Sequence, residues 1–316
     1  MDVGLYTDSL SGFSFEQALD IAADAGVTAI EIAVGGQSRA PHLRVDDLLA
    51  SAARRAAFLD AFRERGLRLA ALNCSAWPLH PRDAAIHDAV IEKTMRLAAE
   101  LGVTKVVSMS GCSGDGPGAS TIDWVFYPWP EDAVAHARRA WDAAVEYWAE
   151  KTRLAERCGV ERIAFELHPL HVVYNVPTLL AFREQVGPRI GANMDPSHLM
   201  WQQMDPIAAV RALGDATYHV HIKDTEVNPA QVALAGVLDG RPFDDPAHRA
   251  WVFRTVGRAH DAAWWRRFVG ALREVGYDDA LSIEQEDPYT GEEDGVREAA
   301  AYVAALIVSN APRSGS

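Results

Sequence analysis

Short apolar runs alternate along this chain with longer stretches in which apolar residues recur at helical spacing. Eight runs read as strands: Val3 to Thr7, Ala29 to Ala33, Leu67 to Asn73, Lys105 to Met109, Arg162 to Glu166, Ile190 to Asp195, Thr217 to Ile222 and Ala280 to Glu284. Between the first two, Ala18, Leu19, Ala22 and Ala25 form a helical stripe that starts after Ser14, a good N-cap, and stops at Gly26. Gly followed by Val or Leu returns at Gly26-Val27, Gly66-Leu67, Gly102-Val103 and Gly159-Val160, each where a helix should end and a strand begin. Strand and helix in strict alternation predict a parallel sheet, and a repeated unit of this kind closes into a ring. The expected fold is α/β, a single (β/α)8 TIM barrel occupying residues 1–316 as one domain.

Two connections break the rhythm. Ser110 to Asp132 follows the fourth strand and is rich in Gly, Pro and Trp, and Thr225 to His260 follows the seventh. Both leave the C-terminal ends of strands, the face on which barrel enzymes build their sites, so both read as lids or binding segments. Trp124, Phe126, Tyr127 and Trp129 in the first would suit either a sugar-stacking wall or a subunit contact.

Composition narrows the classes. A formal net charge of -14 opposes a nucleic-acid-binding protein with a broad basic face, since phosphate contacts supply most of that affinity. Three cysteines, Cys74, Cys112 and Cys158, carry no CxxC spacing, so neither a disulfide framework nor a thiolate zinc site is implied. The N-terminus is acidic where a signal peptide would be basic, and no apolar stretch reaches membrane-spanning length. A reduced cytoplasm is the expected location, with no membrane partner.

Chemistry concentrates just past the last four strands. Glu166, Asp195, His221 and Glu284 each follow an apolar run, and on neighbouring parallel strands all four would converge at the mouth of the barrel. Three carboxylates and one imidazole form a mostly oxygen-donor set suited to one divalent ion, Mn2+ first, with Mg2+, Co2+ or Zn2+ also acceptable. His219 shares the inward face with His221 one layer deeper, where a packed or hydrogen-bonded core histidine is expected.

The strings Phe165-Glu166-Leu167-His168-Pro169, Asp195-Pro196-Ser197-His198, His221-Ile222-Lys223-Asp224 and Glu284-Gln285-Glu286-Asp287 resemble the xylose isomerase-like barrel superfamily. Within it they are similar to the sugar phosphate isomerase/epimerase group that includes D-tagatose 3-epimerase and inosose dehydratase. The resemblance implies that Glu166, Asp195, His221 and Glu284 hold the metal, and that Glu166 and Glu284 are catalytic, one removing a proton from a substrate carbon and the other returning one to the reverse face. It implies a small sugar or polyol substrate and a homo-oligomer. The sequence departs from this branch at Gly257-Arg258-Ala259-His260 and at Gln285, both bordering the pocket, which puts the substrate in question.

A divalent ion that polarises a ketone makes the neighbouring carbon-bound proton acidic and stabilises the enediolate left by its removal. His168, His171, His198, Lys223 and Arg258 are the expected substrate contacts, with Lys223 placed to offset enediolate charge. No Gly-rich phosphate loop and no arginine cluster is visible, which favours an unphosphorylated ketose or keto-glycoside. The expected function is a metal-dependent sugar isomerase or epimerase. The alternative is a lyase on the same scaffold, an inosose dehydratase or the subunit of a 3-keto-glycoside or C-glycoside cleaving enzyme, for which a hetero-oligomer would be expected. A metal-dependent AP endonuclease would need more ligands and a basic groove, and a non-catalytic barrel would be expected to have lost ligands.

Overall fold

The computed structural model describes residues 1–309, so the last seven positions of the expected 1–316 domain lie outside the described residues. Eight parallel strands close into a barrel: β1 (Asp2–Tyr6), β2 (Ala29–Gly36), β3 (Arg68–Ser75), β4 (Lys105–Ser108), β5 (Arg162–Glu166), β6 (Ile190–Met194), β7 (Thr217–Ile222) and, after a two-stranded excursion formed by β8 (Asp224–Val227) and β9 (Trp251–Arg254), β10 (Ala280–Ile283). Each barrel strand pairs with its sequence neighbour in the ring, and β1 closes the circle against β10 through Asp2–Leu5 and Ala280–Ile283. The predicted eight-fold barrel is therefore the observed fold. Strand ends differ from expectation by at most a few residues, the usual uncertainty where a strand frays into its loop.

Alternation along each strand sorts side chains between two environments. On β5, Ile163 and Phe165 belong to the large apolar core beneath the helices, whereas Ala164 falls in a separate small cluster with Ala71 and Val107. The two-residue period that places Ala164 away from the helices places Glu166 there too. Phe165 is clamped by Trp148, with ring centroids 4.6 Å apart, and by Phe182 at 5.7 Å, all wholly buried. Truncating such a ring costs roughly 3–5 kcal/mol, so packing outside the barrel fixes where Glu166 emerges.

The predicted first helix spans Phe15–Asp24 and is capped by Ser14, whose side chain accepts from Gln17 N while the Gln17 side chain accepts from Ser14 N. Gly26 and Gly102 end their helices with positive φ, the backbone geometry that glycine adopts without a Cβ penalty. Gly191 on β6 is needed for another reason. A Cβ there would lie 2.3 Å from the ring of Tyr218, which packs over it.

The connection after β7 is more ordered than a plain loop. β8 and β9 pair antiparallel from Asp224 to Arg254, and a short helix, Pro229–Ala235, lies between them. Trp201 stacks on Trp251 with centroids 4.7 Å apart, which holds the hairpin over the barrel mouth. Asp224 anchors its far end: Oδ2 accepts from the backbone N–H groups of Gly257, Ala259 and His260 at 3.0 to 3.1 Å, and Oδ1 lies 2.6 Å from His260 Nδ1. Among the described residues, no helix is long and apolar enough to cross a membrane.

Candidate metal centre

Glu166, Asp195, His221 and Glu284 leave the ends of β5, β6, β7 and β10, four consecutive strands of the ring. One donor atom from each lies within 4.8 Å of the others. His221 Nδ1 is 3.2 Å from Glu284 Oε2 and 3.8 Å from Glu166 Oε2. The first is close to the spacing of adjacent ligands around an ion bound at about 2.1 Å, and the second falls between adjacent and opposite positions.

Asp195 divides its two oxygens between tasks. Oδ1 accepts from Ser197 N at 2.8 Å and caps the helix Pro196–Trp201. Oδ2 is buried without a hydrogen-bond partner, although Lys223 Nζ and His198 Nε2 stand 3.1 and 3.3 Å away. That oxygen makes no well-aligned hydrogen bond, yet the Lys223 ammonium already compensates its charge. The donor set of three carboxylates and one imidazole fits a divalent ion.

Electrostatics at the cluster are strained by crowding of like charge. Burial and then the Glu284 charge push the Glu166 carboxyl up to about 7. Burial would also raise Glu284, but the Lys223 ammonium and the His221 ring overcome it and hold the group well below the usual carboxylate range. His168 and His198 are driven down to about 4, burial being the largest cause for each, so both rings are neutral at pH 7.

Above the cluster opens a cavity of about 490 Å3. His168, His198 and Lys223, three of the five residues expected to contact substrate, line it. His198 Nε2 is 3.0 Å from Glu166 Oε1, its ring packs edge-on against His168 at 4.3 Å, and His168 Nδ1 donates to the Pro169 carbonyl at 2.6 Å. Lys223 Nζ bridges Glu284 at 2.6 Å and Glu286 at 2.9 Å while lying 4.5 Å from the Phe253 ring centroid.

Two expected contacts are placed elsewhere. His171 is wholly buried behind the wall, hydrogen-bonded to the Trp77 indole N–H and to Gly111 N, and it does not line the cavity. Its closeness to Glu166 in sequence is lost because the chain turns away after Pro169. Arg258 is half exposed and forms a two-pronged pair with Glu298 at 2.5 and 2.6 Å, pointing away from the cavity. The tryptophan-rich loop also leaves the wall: Phe126, Tyr127 and Trp129 are exposed, and the aromatic lining comes from Phe243 and Phe253 of the other connection.

The structure adds residues that the motifs did not single out. Asp8, after β1, and Glu286, two residues past Glu284, line the cavity. Asn193 is buried with its Nδ2 3.4 Å from Glu166 Oε2. Glu31, wholly buried on β2, touches both His219 and His221. A signal was present, since a carboxylate inside the run Ala29-Ile30-Glu31-Ile32-Ala33 has no place in a barrel interior without partners.

This fold and this convergence define the class, and the pattern of the xylose isomerase-like TIM barrel family matches residues 19–306: the chain belongs to that family. Among curated relatives, the uncharacterized protein YfiH of Bacillus subtilis (strain 168) is 41% identical over 301 residues, covering 94% of this chain and 96% of that protein. Solved structures of the same fold include the IOLI protein with a bound zinc atom (TM-score 0.67, 18% identity, 98% of this chain and 99% of that one) and an L-ribulose 3-epimerase (0.64, 18%, 100% and 99%). The probable 3-DHS dehydratase AsbF of Bacillus anthracis is a third (0.66, 15%, 96% and 99%).

Proposed function

We propose that this protein is a divalent-metal-dependent isomerase or epimerase of a neutral ketose or keto-polyol, with Glu166 and Glu284 as its catalytic carboxylates. The observation that carries the reading is the meeting of four donor atoms within 4.8 Å beneath a cavity large enough for a sugar. The solved L-ribulose 3-epimerase shares the fold, and the zinc-bearing IOLI structure is a metal-holding member of the same architecture.

Glu166, Asp195, His221 and Glu284 would hold the ion, Mn2+ by preference for so oxygen-rich a set. When bound, it supplies a Lewis acid that polarises a substrate carbonyl. The chain's own groups then move the proton. Glu166 and Glu284 enter from strands three places apart round the ring, so a sugar between them presents a different face to each. One carboxylate takes the proton from the carbon beside the carbonyl, and the C–H electron pair becomes the C=C bond of an enediolate. The other returns a proton to the opposite face, inverting the centre, or to the adjacent carbon, exchanging ketose for aldose. Lys223, whose ammonium pairs with Asp195 and Glu284 at the cavity floor, would offset negative charge developing on the substrate oxygens.

Charge on the wall indicates the substrate class. Beyond the cluster the cavity presents Asp8 and Glu286, and Lys223 is the one ammonium among its described lining residues, with no arginine beside it. A phosphate or carboxylate would enter against this field, whereas hydroxyl groups would find acceptors.

The test is exchange of carbon-bound hydrogen in D2O by the Mn2+-loaded protein across ketoses, inososes and 3-keto-glycosides. Deuterium in recovered sugar without loss of water or aglycone is the expected result. Release of water or of an aglycone would move the assignment to a lyase on the same scaffold. A protein that holds its ion yet exchanges hydrogen with none of these would overturn the enolisation reading.

A further inference from the structure

Glu31 has no part in the cavity wall, yet three polar groups converge on its carboxylate. Asn73 Nδ2 donates to Oε1 at 2.7 Å. His219 Nε2 lies 2.7 Å from Oε2, and His221 Nε2 lies 3.0 Å from Oε2 and 3.1 Å from Oε1. All four residues are buried, Glu31, His219 and His221 completely. An ionised carboxylate only accepts hydrogen bonds, so Glu31 favours a proton on the Nε2 of each imidazole facing it.

These three residues also offer donor atoms close enough to share an ion. The His219–Glu31 contact speaks against it. Adjacent ligands of an octahedral ion bound at about 2.1 Å stand about 3 Å apart, and the 2.7 Å between His219 and Glu31 is a hydrogen-bond length. The group reads as a hydrogen-bonded support rather than a second metal centre.

Both nitrogens of His221 face carboxylates, and the contacts to Glu31 are the shorter and more numerous. Nε2 faces Glu31, and Nδ1 faces Glu284 and Glu166 at 3.2 and 3.8 Å. A neutral imidazole holds one proton, and whichever nitrogen carries it cannot bind a metal. We propose that Glu31 is a positioning residue, holding the proton of His221 on Nε2 so that the Nδ1 lone pair is aimed at the carboxylate cluster. Asn73 keeps the carboxylate of Glu31 turned toward the ring. This rests on the reading of Glu166, Asp195, His221 and Glu284 as metal ligands. Partners of this kind raise metal affinity by fixing ligand tautomer and orientation.

The experiment pairs Mn2+ titration calorimetry with 15N NMR of histidine-labelled protein. Glu31→Gln keeps size but replaces one acceptor oxygen with an amide donor, and its Mn2+ affinity is expected to fall about 10- to 100-fold with the far-UV circular dichroism unchanged. In a His221→Asn background the same change should shift affinity less than about twofold, because the ring through which Glu31 acts is gone. In the wild-type protein, at a pH where the ring is neutral, His221 should show the proton on Nε2. A folded Glu31→Gln variant that binds Mn2+ like the wild type, or a wild-type ring protonated on Nδ1, would overturn the proposal. Should Glu31→Gln fail to fold, the wild-type tautomer still decides. Should the wild type bind no Mn2+, the metal reading falls, and the tautomer measurement still judges what Glu31 does to His221.

Discussion

Lys223 Nζ lies 2.6 Å from Glu284 Oε2, deep enough that the ammonium is almost wholly enclosed. It also stands 3.1 Å from Asp195 Oδ2, so it supplies the nearest fixed positive charge to two of the candidate metal ligands. Removing one member of a buried ion pair typically costs about 3–5 kcal/mol, because the charge left behind is uncompensated. Lys223→Met should therefore lower the melting temperature of chelator-treated protein by several degrees. Added Mn2+ should recover much of the loss, since an ion that binds only the folded state stabilises it and would replace the missing charge. Calorimetric scans with and without Mn2+ would check this, and an equal deficit in both would count against it.

Glu166→Gln and Glu284→Gln should each reduce hydrogen exchange in D2O by about 10²- to 10⁴-fold, the usual contribution of a positioned general acid or base. Binding of Mn2+, followed separately, should weaken in both variants, because each also removes a charged donor from the cluster. Saturating Mn2+ should leave the exchange defect in place. Full recovery at high Mn2+ would show that these groups hold the ion and do nothing else.

Arg258→Ala should be close to silent. Its partner Glu298 is also substantially exposed, and pairs of this kind contribute about 0–1 kcal/mol. Exchange rates and urea midpoints are expected to match the wild type. A large rise in KM for an accepted ketose would restore the substrate contact that the sequence led one to expect.

At the other end of the barrel, Asp279 accepts from Lys105 Nζ at 2.7 Å and from Arg68 at 2.8 Å. Burial by itself would raise this carboxyl, but the two cations overcome it and hold the group far below the ordinary range. A carboxyl depressed in the folded state contributes stability above its unfolded value of about 3.9 and loses it as the pH falls toward the folded value. Asp279→Asn should cost about 3 kcal/mol at pH 7, because Lys105 would be left buried without its partner. Between about pH 4 and 2 the gap to wild type should narrow. Urea unfolding at several pH values would reveal a parallel offset instead if the pair contributed no charge energy.

Local patterning carried much of this protein. The two-residue period on β5, β7 and β10 made the inward direction of Glu166, His221 and Glu284 legible, and the Gly-Val and Gly-Leu punctuation made the ring legible. Both are properties of a few adjacent residues, so they survive without knowledge of the whole. The placement of His171 and Arg258 was not legible in that way. One depends on the turn after Pro169, which delivers the ring to Trp77 from a distant strand, and the other on Glu298, forty residues further along the chain.

The sequence by itself determined the class of fold and the acidic net charge, and it singled out the four residues proposed here as metal ligands. Only the tertiary structure decided which groups share the cavity, that Asp195 both caps a helix and pairs with Lys223, and that Glu31 stands behind His221. The physical reason is range. Periodicity and capping act between near neighbours, whereas a hydrogen bond from β2 to β7, spanning 190 positions, exists only once the ring has closed.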